Sequence, residues 1–362
     1  LITEECAEQP FQTDICTAYQ MPTYNHILRD KLCWGKDKAL YLFAKQKVDV
    51  SSFDIIFCST YYYFPLYAAH LLAKEFNIPL AIDLRDIAEQ WGDTPYFTRQ
   101  ITPFHKLNYW IGKLYERRQL YMRNRILQTA NIVTSISPWH QQLLAHYNQN
   151  THLIYNGYDA DIFVPQNTIS KNFYITYLGK LYSTQLRDPR LLFDALKQLI
   201  AAHQIDASVI RVLFHTDSKG IKEIQELGEQ YKLTELLDIN GYIPRQEILP
   251  IMHKSSILLV LTTKSTSNGT HGIMGTKFFE NIGVEKPILC VRSDEECLAD
   301  AIHKTNAGLA ATNVEEVKRF ILDKYHEWQQ NGYTHQEVIN KEQFTRQHEA
   351  QQFEKLFLQC IQ

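Results

Sequence analysis

Along the 362-residue chain, short continuous runs of apolar residues alternate with longer stretches whose apolar positions recur every three or four residues. The first pattern suits parallel strands buried on both faces, and the second suits helices that cover them. In the first half, 54–59 reads as a buried strand, 65–76 as a helix and 79–84 as the next strand. A long helix is expected over 103–128, then strands at 132–136 and 152–155. Residues 159–171 are polar and irregular, with Pro165 in their middle, and read as a connector. The rhythm then restarts, with strands at 173–178, 210–215, 237–240, 257–261 and 287–291 and a short one near Gly308. Helices are expected at 188–202, 221–231, 246–253 and 276–282. From about His335 the chain is polar with a helical period, and Phe344, Phe353, Leu356 and Phe357 form an apolar stripe. The pattern predicts an α/β protein of two domains, 1–160 and 161–334, followed by a C-terminal segment 335–362.

Composition narrows the classes. Apolar residues at 45% and charged residues at 21% describe a globular chain with enough apolar surface for two cores. A net charge of −3 gives no support to a nucleic-acid binder. Seven cysteines, at 6, 16, 33, 58, 290, 297 and 360, form no Cys-x-x-Cys pair, which favours a reduced, cytoplasmic compartment over disulfides or metal. No run approaches the ~18 apolar residues of a membrane span. Leu1-Ile2-Thr3 reads as the tail of a strand, so an opening strand, turn and helix are expected to precede it.

Candidate chemistry concentrates in 268–290. Gly269, Gly272 and Gly275 lead into a helix opening near Thr276, whose unpaired N–H groups and positive dipole end suit an anion. Lys277 adds positive charge or extends into solvent. Glu280, one turn inside, is placed to accept hydrogen bonds from ribose hydroxyls. An ordinary loop-helix-strand connection is the alternative. A second candidate is Tyr177-Leu178-Gly179-Lys180, at the end of a strand where open α/β sheets bind ligands.

Taken with Asn156-Gly157-Tyr158-Asp159 and Gly241-Tyr242-Ile243-Pro244, these segments resemble in order and spacing the retaining nucleotide-sugar glycosyltransferases of family four, over about residues 54–356. The resemblance implies the GT-B fold: two Rossmann-like parallel-sheet domains facing a cleft, with a C-terminal helix crossing back to the first. It implies transfer of a sugar from a nucleotide-diphosphate sugar to a hydroxyl acceptor, with no cofactor and no bound metal, in making a cell-surface polysaccharide or glycoconjugate. Lys180 and a second cation, for which Arg187 is the local candidate, would grip the diphosphate, and Arg187 has a salt bridge with Asp188 as its structural alternative. Gly179, Gly275, Thr276, Lys277 and Glu280 complete the donor site, with backbone groups near Tyr242 for the base; Tyr242 would otherwise merely pack. The family places a further glutamate eight positions before Glu280; here that position is Gly272, with His271 and Asn268 as polar neighbours.

On the acceptor side, Asp83-Leu84-Arg85-Asp86 ends a strand. Asp86 is a candidate base and Arg85 a candidate for orienting the acceptor, a saccharide or lipid-linked molecule; an internal Asp83–Arg85 ion pair is the alternative. Asp159-Ala160-Asp161 has a metal-binding form but falls in the expected connector, and Ser135, Ser137 and His140 lack a nucleophile elbow. Residues 99–125 carry Lys106, Lys113, Arg117, Arg118, Arg123 and Arg125 against the single acid Glu116, interleaved with Tyr109, Trp110, Tyr115 and Tyr121. Such a helix suits either an anionic membrane surface, at the cytoplasmic face, or plain solvent. The rival readings are a non-catalytic GT-B partner subunit and a GT-B sugar-nucleotide epimerase.

Overall fold

The computed structural model describes residues 1–4, 15–26, 30, 33–91, 105–262, 270–291 and 296–361. Asn268 and Gly269 lie outside them. The chain divides into two compact units, Leu1–Ile154 with Gln351–Gln362, and Tyr155–Ala350.

In the first unit, β1 (Ile2–Glu4) pairs in parallel with β2 (Tyr19–Met21). Helix α1 (Gly35–Lys47) follows, then β3 (Ile56–Thr60), α2 (Leu66–Phe76), β4 (Leu80–Leu84), α3 (His105–Leu127), β5 (Ile132–Ser135), α4 (Pro138–Ala145) and β6 (Thr151–Leu153). Strands β3 to β6 form a parallel sheet in sequence order. Every residue of β4 and β5 is buried, which is why both read as unbroken apolar-rich runs. Leu66, Ile82, Leu84, Leu127, Val133 and Leu144 make the core of this unit. Each such side chain contributes roughly 1.5–3 kcal/mol by leaving water.

The second unit runs β7 (Phe173–Leu178), α5 (Arg190–Ala201), β8 (Ile210–His215), α6 (Ser218–Tyr231), β9 (Leu237–Asn240), α7 (Arg245–Lys254), β10 (Ile257–Leu261), α8 (Thr276–Gly283), β11 (Ile288–Val291), α9 (Cys297–Lys304), β12 (Gly308–Ala311) and α10 (Val314–Asn331). Its six strands are all parallel, in the order β12-β11-β10-β7-β8-β9. The order reverses at β7, so the crevice beyond the carboxyl end of β7 is the place where open sheets of this kind bind ligands.

Residues 159–171 belong to the second unit. Phe163 packs against its cores, beside Tyr158, which is itself buried. Asn156-Gly157 has a structural task there. A Cβ at Gly157 would sit 2.7 Å from the Arg346 nitrogen, and the close approach lets the Tyr158 N–H donate to the Phe344 carbonyl and the Arg346 N–H donate to the Tyr158 carbonyl, both at 2.9 Å. Asp159 accepts from the Asp161 N–H at 3.1 Å, a local turn that accounts for the Asp-x-Asp sequence.

The chain ends in α11 (Arg346–Ile361). Its Leu356 packs with Ala81, Ile132 and Ile154, and Phe353 and Phe357 lie 5.3 and 5.2 Å from the Phe57 ring. The expected stripe of four apolar residues therefore divides. Phe344 sits in a 3-10 turn and joins Tyr155, Phe278 and Phe279 in the second unit instead, with ring centroids 5.0, 6.0 and 5.6 Å away.

Candidate functional site

Strand β7 ends by passing the Gly179 N–H to the His215 carbonyl at 3.0 Å, extending the pairing with β8. The chain then turns, and the Leu181 N–H is held by both Thr216 Oγ1 and Asp217 Oδ1 at 3.0 Å. Tyr182 takes a left-handed conformation, φ 63°. This turn gathers two cations on one ring: Lys180 Nζ lies 4.8 Å and the Arg187 guanidinium 5.0 Å from the Tyr182 centroid. Arg187 also donates to the Tyr177 hydroxyl at 3.1 Å and to the Lys180 carbonyl at 3.0 Å. The neighbouring Asp188 is buried and takes a bidentate contact from Arg190, as short as 2.6 Å. Two positive groups seven residues apart thus meet at the carboxyl end of β7, around an aromatic residue whose role the sequence did not disclose.

Strand β10 is the immediate neighbour of β7, and α8 returns the chain from that same edge of the sheet toward the start of β11. The helix has no side-chain cap at Gly275, and a Cβ there would meet nothing within 4 Å. Its first N–H groups thus receive no cap from the residue before the helix, and the dipole's positive end lies behind them. Gly275 and Thr276 are exposed. Lys277 and Glu280 are half-buried and joined by a 2.7 Å ion pair. The apolar side of α8 buries Phe278, Phe279 and Ile282, which fixes the helix rotation and leaves Lys277 and Glu280 outward.

Gly272, where the resembling pattern has a glutamate, has φ 65°, a conformation that favours glycine. A carboxylate nevertheless reaches it from elsewhere: Glu296, at the start of α9, accepts the Gly272 N–H at 3.3 Å and contacts His271 Nδ1 at 2.6 Å. Sequence spacing gives no signal for Glu296, because only the parallel pairing of β10 with β11 brings the two loops to one edge.

Tyr242 follows β9 two strands from β7. It is 65% exposed, so packing does not explain it. The buried His215 imidazole lies 3.4 Å from the Gly241 carbonyl beside it.

In the first unit, Asp83 is fully buried and accepts from Ser59 at 2.9 Å, Thr134 at 2.8 Å and Arg85 at 2.6 Å. The internal Asp83–Arg85 pair is therefore present. Arg85 is half-buried, with its guanidinium 5.8 Å from the Phe353 ring. Asp86 faces a different surrounding: burial raises its carboxyl above the usual range, against the hydrogen bond from Gln90 at 3.0 Å. Ser137 caps α4 by accepting the His140 N–H at 3.3 Å. His140 is buried and held neutral, its pKa lowered to about 4 by burial, and neither ring nitrogen finds a hydrogen-bond partner among the described residues. No group of three metal-ligating side chains occurs among the described residues.

Two α/β units with parallel sheets of four and six strands match the GT-B class of fold. Solved structures bear this out. Sucrose-phosphate synthase from Thermosynechococcus elongatus shares the fold at a TM-score of 0.63 and 14% identity, over 99% of this chain and 88% of that one. The lipopolysaccharide outer core galactosyltransferase WaaB matches at 0.58 and 12%, over 96% and 85%. Anabaena HepE, solved in complex with UDP-glucose, matches at 0.54 and 15%, over 95% and 84%. The sequence matches no family model and none of the curated proteins.

Proposed function

We propose that this protein is a retaining glycosyltransferase of family four, moving a sugar from a nucleotide-diphosphate sugar to a hydroxyl of a saccharide or lipid-linked acceptor in cell-surface glycan synthesis. The observation that carries the reading is the pairing of Lys180 and Arg187 on Tyr182 at the edge of the sheet where the uncapped end of α8 also opens. As the anomeric bond to the diphosphate breaks, negative charge grows on the leaving phosphate. Pre-positioned cations and backbone N–H groups stabilise that charge more than they stabilise the bound donor. Lys180, Arg187, Lys277 and the helix end supply this charge within the chain itself, which supports transfer without a metal. Glu280 receives the ribose hydroxyls, backbone groups at Tyr242 receive the base, and Asp86 with Arg85 orients the acceptor hydroxyl. Solved GT-B neighbours bind UDP or UDP-sugars, so a UDP-sugar is the first donor to try.

Thermal unfolding in the presence of UDP, GDP and ADP tests the donor half, because a ligand bound only by the native form raises the apparent stability. One diphosphate should raise the midpoint in the wild type and do so far less in Lys180→Ala. Transfer or hydrolysis of the matching sugar nucleotide should persist in EDTA. If no diphosphate shifts the transition, the reading is wrong.

A further inference from the structure

Helix α3 carries an exposed row of large apolar side chains as well as a buried face. At 3.6 residues per turn, Leu107, Trp110, Leu114, Arg117, Tyr121, Arg125 and Gln128, at its end, fall on one narrow stripe, within an arc of about 80°. All seven are exposed. Trp110 is 66%, Leu114 72% and Tyr121 66% open to solvent. The opposite face, turned into the first unit, buries Glu116, Gln119 and Arg123 together with the core residues Met122, Ile126 and Leu127. Arg123 is held by Glu89 at 2.5 Å, and Glu116 lies 3.7 Å from Lys113. A helix that simply faced water would carry these polar groups outward and its Leu and Trp inward. A scattered exposed leucine carries no message, whereas Leu107, Trp110, Leu114 and Tyr121 make a row over about 21 Å of helix, broken only by Arg117, and such a row marks an interaction surface.

We infer that this stripe docks the protein on an anionic lipid bilayer, with Leu107, Trp110 and Leu114 entering the interface and Arg117 and Arg125 meeting lipid phosphates. Charge decides the occupant. The only acid of α3 is Glu116, which is buried, so the exposed stripe carries no negative charge and two cations. Tryptophan and tyrosine flanked by arginine suit the boundary between headgroup and acyl chain. A second copy of the same stripe is a poor partner, because two-fold packing about its middle would place Arg117 against its own counterpart. The stripe also borders a cavity of about 450 Å³ between α3 and Ala88–Glu89, lined by Trp110 and Arg117 from the stripe and by Lys113 and Glu116 beside it. Docking sets the mouth of that cavity at headgroup level. Among the described residues no helix is long and apolar enough to span a membrane, so the contact is one of lying on the surface.

Flotation of the full chain with vesicles tests this independently of any sugar transfer. Vesicles of phosphatidylcholine with about one third phosphatidylglycerol should carry the wild-type protein upward, and pure phosphatidylcholine should carry much less. Trp110→Asp with Leu114→Asp should lower the bound fraction at least tenfold, and Arg117→Glu with Arg125→Glu should abolish the preference for the anionic vesicles. These side chains are exposed, so circular dichroism and the thermal midpoint should be unchanged. Lipids brominated near the glycerol end should quench wild-type tryptophan fluorescence more than that of Trp110→Phe. The inference fails if the wild type does not float with anionic vesicles, or if the Asp variants float equally well. It also fails if the wild type sediments as a dimer that Trp110→Asp dissociates, since the stripe then binds a second copy.

Discussion

The carboxyl edges of the two parallel sheets carry opposite chemistry on similar scaffolds. At the edge of the six-stranded sheet, two cations without a carboxylate partner in the turn, Lys180 and Arg187, share one aromatic ring, while Lys277 at the helix start is paired with Glu280. At the edge of the four-stranded sheet, carboxylates collect: Asp83 saturated by three donors, Glu89 locked to Arg123, and Asp86 with its proton held unusually tightly. Backbone topology alone does not produce this contrast, because every strand of both sheets runs parallel and ends alike. Side chains in the turns after the strands produce it. A cationic edge suits a diphosphate, and an edge with one responsive acid suits a hydroxyl that must be oriented and relieved of a proton.

The sharpest way to break the contrast is to remove its cations. Lys180→Ala and Arg187→Ala should each lower kcat for sugar transfer by about a hundredfold or more, the scale seen when a pre-positioned charge-stabilising donor is lost. Steady-state kinetics with the donor identified by thermal shift checks this. Tyr182→Ala should cost less, because both cations stay but lose the ring that confines them. An Arg187→Ala enzyme with unchanged kcat and donor KM would remove Arg187 from the site.

The acidic edge gives the next largest effect. Asp86→Asn should lower kcat roughly ten- to hundredfold while leaving donor binding intact. With Asp86 as the proposed base, the wild-type pH profile should carry an acidic limb above the ordinary aspartate range, since burial raises its carboxyl and a base acts in its ionised form. Activity is thus lost as pH falls through that raised value, and Asp86→Asn should erase the limb. A limb that survives the substitution belongs to another group.

A smaller effect is expected at the loop before α8. Glu296→Ala should raise the donor KM about tenfold by freeing the Gly272 N–H and His271, whereas Glu296→Gln, which keeps an acceptor, should recover most of the loss.

These residues also mark how far the sequence could be read. The strands 173–178, 210–215, 237–240 and 257–261 are found at the expected bounds; the first two and the last are largely buried on both faces and read as apolar runs with sharp ends, whereas 237–240, at the sheet edge, alternates half-buried and exposed residues. Helices α1 and α10 went unmarked. The exposed sides of both are crowded with charge, and GKDKALYLFAKQK shows little helical amphipathicity to distinguish it from a loop. In the candidate site, the place of Lys180 after a strand and of Thr276 and Lys277 at a helix start was legible from the sequence, whatever part each plays there. Tyr182 was not, since nothing in a turn sequence shows which way a ring will face. Glu296 was not, since its partner lies 24 residues away and only sheet pairing joins them.

Away from both edges, each unit also buries a group whose pKa desolvation displaces, an acid in the first and a base in the second, and the stability of the fold should respond to the two in opposite senses with pH. Asp37 in α1 is buried, its carboxyl raised to about 7 chiefly by desolvation, although it accepts the Tyr67 and Ala68 N–H groups at 3.1 and 3.2 Å. Between its unfolded value near 4 and about 7 the native state holds more protons than the unfolded chain, so this group lowers stability as pH rises across that window. Asn keeps the accepting oxygen without the charge. Asp37→Asn should therefore leave stability near pH 4 almost unchanged and raise it above pH 7, by up to about 4 kcal/mol. Lys286 in the second unit is buried with its Nζ 3.1 Å from the Thr334 carbonyl, and burial lowers it to about 8. Between about 8 and its unfolded value the native state holds fewer protons, so its penalty is complete below pH 8 and fades as pH rises. Lys286→Met should accordingly stabilise most at neutral pH and least near pH 10, by an amount reduced by the lost bond to Thr334. Hydrogen exchange read separately over Leu1–Ile154 and Tyr155–Ala350 at pH 5, 7 and 9 distinguishes the two slopes. Parallel slopes in the two variants would show that at least one of these groups is hydrated in the native state.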